Sequence, residues 1–295
     1  MPCYSPLSAY RLANGEVVFV ERGDVVSSLT LPCGQCIGCR LERSRQWAVR
    51  CMHEASLHEQ NCFITLTYAS EHLPSDNSLN YRHFQLFMKR LRKYVKAPVR
   101  FYMCGEYGDM GARPHYHACI FGYSFADLQL VNHSPVGSPI YRSAALESLW
   151  TFGFSSVGEV TFESAAYVAR YIMKKITGSQ SDAHYRDVDL SSGEIITRCK
   201  EFNRMSLKPG IGAKWFEKFN TDVFPHDRVI INGCKSKPPR YYDKLYSRMN
   251  PIGFEDIQYF RELAAIPHSA DNTPERLCVK SVVAQARLAQ LKRSL

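Results

Sequence analysis

Two periodicities alternate through the middle of this chain. From Cys62 to Ala69, Thr65 and Thr67 fall two apart within an apolar run, which predicts a strand. After Asn80, Phe84, Phe87, Met88, Leu91, Tyr94 and Val95 recur at three and four, which predicts an amphipathic helix. Val99 to Glu106 and Arg113 to Gly122 read as two strands of an antiparallel hairpin, joined by a long connection containing Gly108, Gly111 and Pro114. Ser143 to Trp150 predicts a short helix, Gly153 to Val160 a strand, and Glu163 to Lys175 a helix. Upstream, Arg40 to Leu57 predicts a helix with Leu41, Trp47, Ala48 and Cys51 inside and its arginines mostly outside. Residues 1–38 look irregular apart from a short hairpin around Gly15. After Gly178 the composition turns polar, with loops expected at Ser179 to Ala183 and Asp189 to Gly193, and residues 274–294 read as a basic amphipathic helix after Thr273-Pro274.

The order βαββαβα predicts an α+β fold, an antiparallel sheet backed by helices. Three regions are expected. Residues 1–60 form a Cys-rich segment with a basic helix, 61–178 the core, and 179–295 an extension for DNA or partner contacts. There are no internal repeats.

Composition narrows the class. A hydrophobic content of 45% over 295 residues supports a real core. No stretch reaches the roughly 20 apolar residues of a membrane span, and the N-terminus lacks the apolar core of a signal peptide. The eleven cysteines are therefore expected to be reduced thiols or metal ligands in a cytosol. The net charge of +9 is unevenly placed. Arg82 to Arg100 holds Arg82, Lys89, Arg90, Arg92, Lys93, Lys96 and Arg100 with no acid among them. Such a run suits a polyphosphate partner, so Lys89, Arg90, Arg92 and Lys93 are candidate DNA contacts.

The chemistry gathers at His115-Tyr116-His117. On a strand the two imidazoles project together, with Tyr116, Cys119 and Phe121 expected toward other layers. Paired imidazoles suit metal ligation. Glu106 lies at the loop end of the preceding strand, and two histidines with one carboxylate suit Mg²⁺ or Mn²⁺. On the helix that follows, Tyr167 and Tyr171 share a face. Arg170 and Lys174 each trail a tyrosine by three, and Lys175 adds a further charge. A free phenol, with a pKa of about 10, is a weak nucleophile. A nearby cation or metal favours the phenolate and offsets charge on a transferring phosphoryl group. Cys33, Cys36 and Cys39 offer three thiolates from one turn, one short of tetrahedral zinc, and Cys3, Cys51 or His53 is available as the fourth. Lys208 to Lys218 reads either as a clamp on single-stranded backbone with Trp215 stacking a base, or as a turn into a helix with Trp215 in the core.

A set of motifs now stands in order: Phe63 to Tyr68, Gly105 to Gly108, Arg113 to His117 and Tyr167 to Tyr171. It resembles the rolling-circle replication initiators with a His-hydrophobic-His motif, in particular the two-tyrosine initiators of the gokushovirus branch of microviruses. Pro32 to Arg40, Met205 to Gly212 and Pro238 to Asp243 also resemble that branch. The similarity covers most of residues 1–245. Conjugative relaxases share the chemistry, but their tyrosine precedes the histidines.

The resemblance implies a ferredoxin-like core and a nickase of single-stranded origin DNA. It implies His115 and His117 as metal ligands, Glu106 as a third, and Tyr167 and Tyr171 as alternating nucleophiles. Arg170 stands where the family usually has lysine. Arginine does not give up its proton, so a proton-shuttling role would move to Lys174. A host helicase and DNA polymerase in the host cytoplasm are the implied partners. The competing expectation is a non-catalytic, zinc-containing nucleic-acid-binding protein.

Overall fold

The computed structural model describes residues 3–108, 112–134, 137–174, 181–188 and 193–290. The chain divides into two compact units, one of described residues 3–43 with 245–290 and one of residues 44–244.

The first unit opens with a three-stranded antiparallel sheet in the order β2-β1-β3: β1 (Leu7–Leu12), β2 (Val17–Val18) and β3 (Val25–Leu31). Strands take up 15 of the 36 described residues in the segment expected to be irregular, and β1 and β2 form the hairpin expected around Gly15. Its strands mix exposed and half-buried positions rather than alternating cleanly, so the period-two signal is weak.

Helix α1 (Ile37–Ala55) leads from the first unit into the second. There follow β4 (Asn61–Tyr68), α2 (Tyr81–Val95), β5 (Arg100–Tyr107), β6 (Pro114–Phe121), the hairpin of β7 (Gln129–His133) and β8 (Pro139–Arg142), α3 (Ala144–Leu149), β9 (Gly153–Gly158) and α4 (Phe162–Lys174). Local chemistry marks the boundaries. The Asn80 side chain accepts from the Arg82 amide to start α2, and Ser143 accepts from Leu146 to start α3. Beyond α4 come α5 (Ser181–Tyr185), a small hairpin of β10 (Arg186–Val188) and β11 (Ile195–Thr197), β12 (Phe202–Met205), α6 (Ala213–Val223) and a second hairpin of β13 (Val229–Ile231) and β14 (Cys234–Ser236). Helices α7 (Arg240–Met249), α8 (Pro251–Ala265) and α9 (Pro274–Gln290) complete the described chain. Among the described residues, no helix is long and apolar enough to cross a membrane.

The central sheet has seven strands in the order β12-β5-β6-β4-β9-β8-β7, antiparallel throughout. Its inner order β5-β6-β4-β9, with α2 and α3 packed on one face, matches the expected ferredoxin-like core. Strand β12 was not legible in the polar region after Gly178. It extends the sheet beyond β5, pairing Phe202 with Gly105 and Met205 with Tyr102.

Alternate residues of the same strands build two different cores. Ile64, Leu66, Tyr68, Met103, Tyr116, Ala118 and Ile120 pack with Phe84, Phe87, Met88 and Leu91 of α2 and with Leu146 and Leu149 of α3. Phe63, Tyr102, Cys104, Cys119 and Phe121 pack with Ala48 and Cys51 of α1 and Ala165, Val168 and Ala169 of α4. Cys119 and Phe121 therefore share the face of His115 and His117, contrary to the expectation above. The pleat's period of two leaves no other choice for odd-numbered neighbours.

Candidate active site

Register fixes the site. Across β5, Glu106 stands opposite His115 and Cys104 opposite His117. Across β4, Thr67 stands opposite His115 and Thr65 opposite His117. Cross-strand partners point to the same face, so Glu106, the two histidines and the two threonines form one polar patch.

Each threonine anchors one imidazole. Thr65 Oγ1 and His117 Nδ1 are hydrogen-bonded at 2.9 Å, and Thr67 Oγ1 and His115 Nδ1 at 3.1 Å. Engaging Nδ1 fixes ring orientation and leaves Nε2 as the nitrogen for ligation. His117 Nε2 lies 3.0 Å from Glu106 Oε1, a diagonal contact, and both residues are buried, at 7% and 3% exposure. Two ligands side by side around an octahedral ion with bonds of about 2.1 Å are also separated by about 3.0 Å, so the two atoms that share this hydrogen bond could share a hard divalent cation instead. The His115 and His117 ring centroids are 6.4 Å apart. The sequence reading missed Thr65 and Thr67 as site residues. Their signal was two hydroxyls at period two in an apolar strand.

Helix α4 packs over β5, β6 and β12 on this same face. It brings the half-buried Tyr167 against His117, edge to face, with centroids 5.2 Å apart and an interplanar angle of 89°. Groups separated by fifty residues of chain thus meet. Asn203 of β12 ties the helix down, donating from Nδ2 to the Val168 carbonyl at 3.0 Å and to the Tyr102 hydroxyl at 2.9 Å. Ser44 of α1 donates to the Ala166 carbonyl at 2.9 Å. Arg170 donates from Nε to the Ala166 carbonyl of its own helix. The backbones of Tyr171 and Lys174 continue α4, and Lys175 lies outside the described residues.

Tyr116, between the two histidines in sequence, is on the opposite face. Burial pushes its phenol up to about 12. Its hydroxyl donates to the Asn80 carbonyl and bonds the Tyr68 hydroxyl at 2.8 Å. It is a core group, not a nucleophile. The basic helix α2 is on that opposite face as well. There Arg90 donates to the Leu149 carbonyl and Thr151 Oγ1, and Arg92 to the Val99 carbonyl, while Lys89 and Lys93 are exposed. The structure does not bring these four cations to the histidines.

A second cluster lies in the first unit. The sulfurs of Cys3, Cys33, Cys36 and Cys39 all fall within 4.8 Å of one another and could hold a metal ion. Cys3 and Cys33 are 3.7 Å apart and Cys36 and Cys3 4.0 Å. Tetrahedral zinc with Zn–S bonds of about 2.3 Å requires about 3.8 Å. Backbone amides of Tyr4, Cys33 and Cys36 each donate to a sulfur of the group at 3.3 Å. Burial opposes ionisation of Cys36, but hydrogen bonds from the amides of Tyr4 and Cys39 together with those from the Cys39 and Cys33 side chains bring the thiol down to about 6. Of the three residues available as fourth ligand, Cys3 takes the place. Cys51 is buried in the core beneath α4. His53 is hydrogen-bonded to the Tyr242 hydroxyl at 2.8 Å and stacked on Trp215 at 3.5 Å. That stack also occupies the half-buried Trp215 within the protein, on a helix that follows a turn at Gly212.

Residues 61–176 match the family model for replication-associated protein ORF2/G2P. Over 263 residues the chain is 35% identical to replication-associated protein VP4 of Bdellovibrio phage phiMH2K, covering 85% of this chain and 79% of that protein. It is 31% identical to replication-associated protein ORF2 of Spiroplasma virus 4 over 274 residues, covering 84% and 81%. It is 33% identical to replication-associated protein ORF4 of Chlamydia phage 1 over 245 residues, covering 80% and 58%. No solved structure matches. With an antiparallel α+β core that carries its histidine pair against a tyrosine helix, and with relatives matched over most of their length, this chain belongs to the family of phage replication-associated proteins.

Proposed function

We propose that this protein starts rolling-circle replication by nicking single-stranded origin DNA and later rejoining it, through a 5′-phosphotyrosine intermediate. The observation that carries the reading is the meeting of Tyr167 with His117, itself paired to Glu106. A Mg²⁺ or Mn²⁺ ion held by His115, His117 and Glu106 supplies Lewis-acid polarisation of the scissile phosphate when bound. The rest of the chemistry belongs to the chain. Thr65 and Thr67 hold the imidazoles in position. Tyr167 or Tyr171 attacks the phosphorus in line. The phenol loses its proton, the bond to the 3′ oxygen breaks, and that oxygen leaves as a 3′ hydroxyl once protonated. Arg170 and Lys174 contribute positive charge one turn from each phenol. The second tyrosine cuts the regenerated origin, and the released 3′ hydroxyl attacks the first phosphotyrosine to reseal the displaced circle. A host helicase and DNA polymerase, in the host cytoplasm, perform the unwinding and extension between the two cuts. Lys89, Arg90, Arg92, Lys93 and Lys175 serve as sequence-independent phosphate contacts along flanking DNA.

The four-cysteine cluster holds structural Zn²⁺. Its sulfur spacing and the amide donors to the sulfurs support that assignment. Atomic emission on the purified chain is expected to give one zinc, lost in Cys36→Ser.

The deciding experiment incubates an end-labelled single-stranded origin oligonucleotide with Mg²⁺ or Mn²⁺. A denaturant-resistant protein–DNA adduct is expected. It should disappear in Tyr167→Phe combined with Tyr171→Phe, persist in part in each single variant, and be lost in His115→Ala. A double variant that still forms the adduct removes the tyrosine assignment. Zinc and DNA binding with no adduct under any metal leaves the non-catalytic nucleic-acid-binding reading.

A further inference from the structure

Phe154 is 68% exposed, yet it lies within a strand of the central sheet. Single exposed apolar residues are ordinary on protein surfaces. What distinguishes this one is its register. Phe154 pairs with Thr67 across β9 and β4, and Thr67 pairs with His115 across β4 and β6. The three residues therefore form one row across the sheet, on one face. Two strand spacings put Phe154 about 10 Å from His115 along that row.

The covering of this face is lopsided. Helix α4 packs over β5, β6 and β12, on the side of the histidines away from β9. On the β9 side the outward positions on β4 and β9 include Thr65, Thr67, Ser156 and Phe154. Thr67 and Ser156 are half-buried hydroxyl residues, and the phenyl ring is the one large apolar surface among them. Its neighbours in sequence show how unusual that is. Phe152 packs against Trp150 and stacks on His83, while Val157 is buried in the core shared with α2.

We propose that Phe154 is a base-stacking platform for single-stranded DNA, seating an unpaired nucleobase beside the scissile phosphate and so setting which phosphodiester reaches the histidine row. An exposed aromatic ring accepts any base face, without hydrogen-bond readout. Its position explains why an apolar ring is left in water on a polar row. It is a positioning residue, since the reacting atoms lie at the histidines. The inference rests on the nickase reading for its substrate, but its test does not need the chemistry.

Binding of the full-length protein to fluorescein-labelled oligo-dT is measured by anisotropy in EDTA, which stops cleavage. Phe154→Ala is expected to weaken binding by between about fivefold and a hundredfold. Phe154→Trp should restore it, and melting temperatures should match the parent because the ring is exposed. Against a backbone of the same length made wholly of abasic sites, Phe154→Ala and the parent should bind equally. Weak binding by Phe154→Trp, or an equal loss on the abasic backbone, would overturn the proposal. So would unchanged oligo-dT binding in Phe154→Ala. If stacking behaves as expected but no adduct forms with Mg²⁺ or Mn²⁺, the nickase reading fails while the platform stands.

Discussion

The two faces of the central sheet are made from alternate residues of the same strands, and they serve opposite ends. One face is closed. Leu66, Tyr116 and Ile120 lie under α2 and α3, and its polar groups are consumed internally, as in the bonding of Tyr116 to Tyr68 and Asn80. The other face is closed only at one end. Toward the loop ends of β5 and β6 its apolar row of Phe121, Cys119 and Tyr102 gives way to His117, His115 and Glu106. The buried core and the proposed site are thus separated by a single residue step along β6, from His115 to Tyr116 to His117.

That separation can be broken by substitution. Leu66→Ala, on the closed face, should cost about 2–5 kcal/mol of stability in chemical denaturation. At a temperature where the variant is folded, its nicking rate should match the parent. A large rate defect in folded Leu66→Ala would show that the faces are not independent.

A structural histidine sharpens the contrast with the site pair. Burial pulls the His53 imidazole down to about 3 from its ordinary 6.5, so the folded chain keeps it neutral. The unfolded chain takes up that proton as pH falls through 6.5. The stabilisation is therefore complete above 6.5 and declines toward 3. Between pH 6.5 and 5 the expected loss is about 2 kcal/mol. It should be smaller in His53→Gln when the two are compared by denaturation at both pH values.

Thr65→Val tests the open face with a smaller change. Removing the hydroxyl that orients His117 should lower Mn²⁺ affinity or nicking by about tenfold, read from metal titrations of the rate, with little movement of the melting temperature. An unchanged metal dependence would mean that the threonine does not position the ring.

The smallest effect is expected from Lys89→Gln combined with Lys93→Gln, on the far side of the closed face. The salt dependence of DNA binding should flatten by about two charges, while nicking at saturating DNA is unchanged. A fall in the saturated rate would contradict the assignment of chemistry to the other face.

The sequence exposed much of this, because strong periodicity and strong packing coincide. β4, α2, β5, β6, α3, β9 and α4 were all legible from spacing, with Asn80 and Ser143 marking helix starts. The hairpin of β7 and β8 was not. Gln129–His133 is exposed at every position, so no buried face impresses a pattern on it. β12 is four residues long and is specified by its partner β5 rather than by its own composition. The stripe of Phe84, Phe87, Met88 and Leu91 told which side of α2 packs. It carried nothing about which face of the sheet receives that side, so the place of the basic helix opposite the histidines was not legible. Thr65 and Thr67 showed only that they share a face, and Phe154 showed nothing, because their places beside the histidines depend on register across strands that are distant in sequence.

Strand β12 has a consequence in time. Asn203 secures the helix that bears Tyr167 by holding Val168 from 35 residues further along the polypeptide. During synthesis, the ribosome must therefore release that stretch before the helix of Tyr167 gains its clasp. A chain interrupted between the two would carry the histidine pair and both tyrosines and still lack the brace that holds phenol and imidazole in contact.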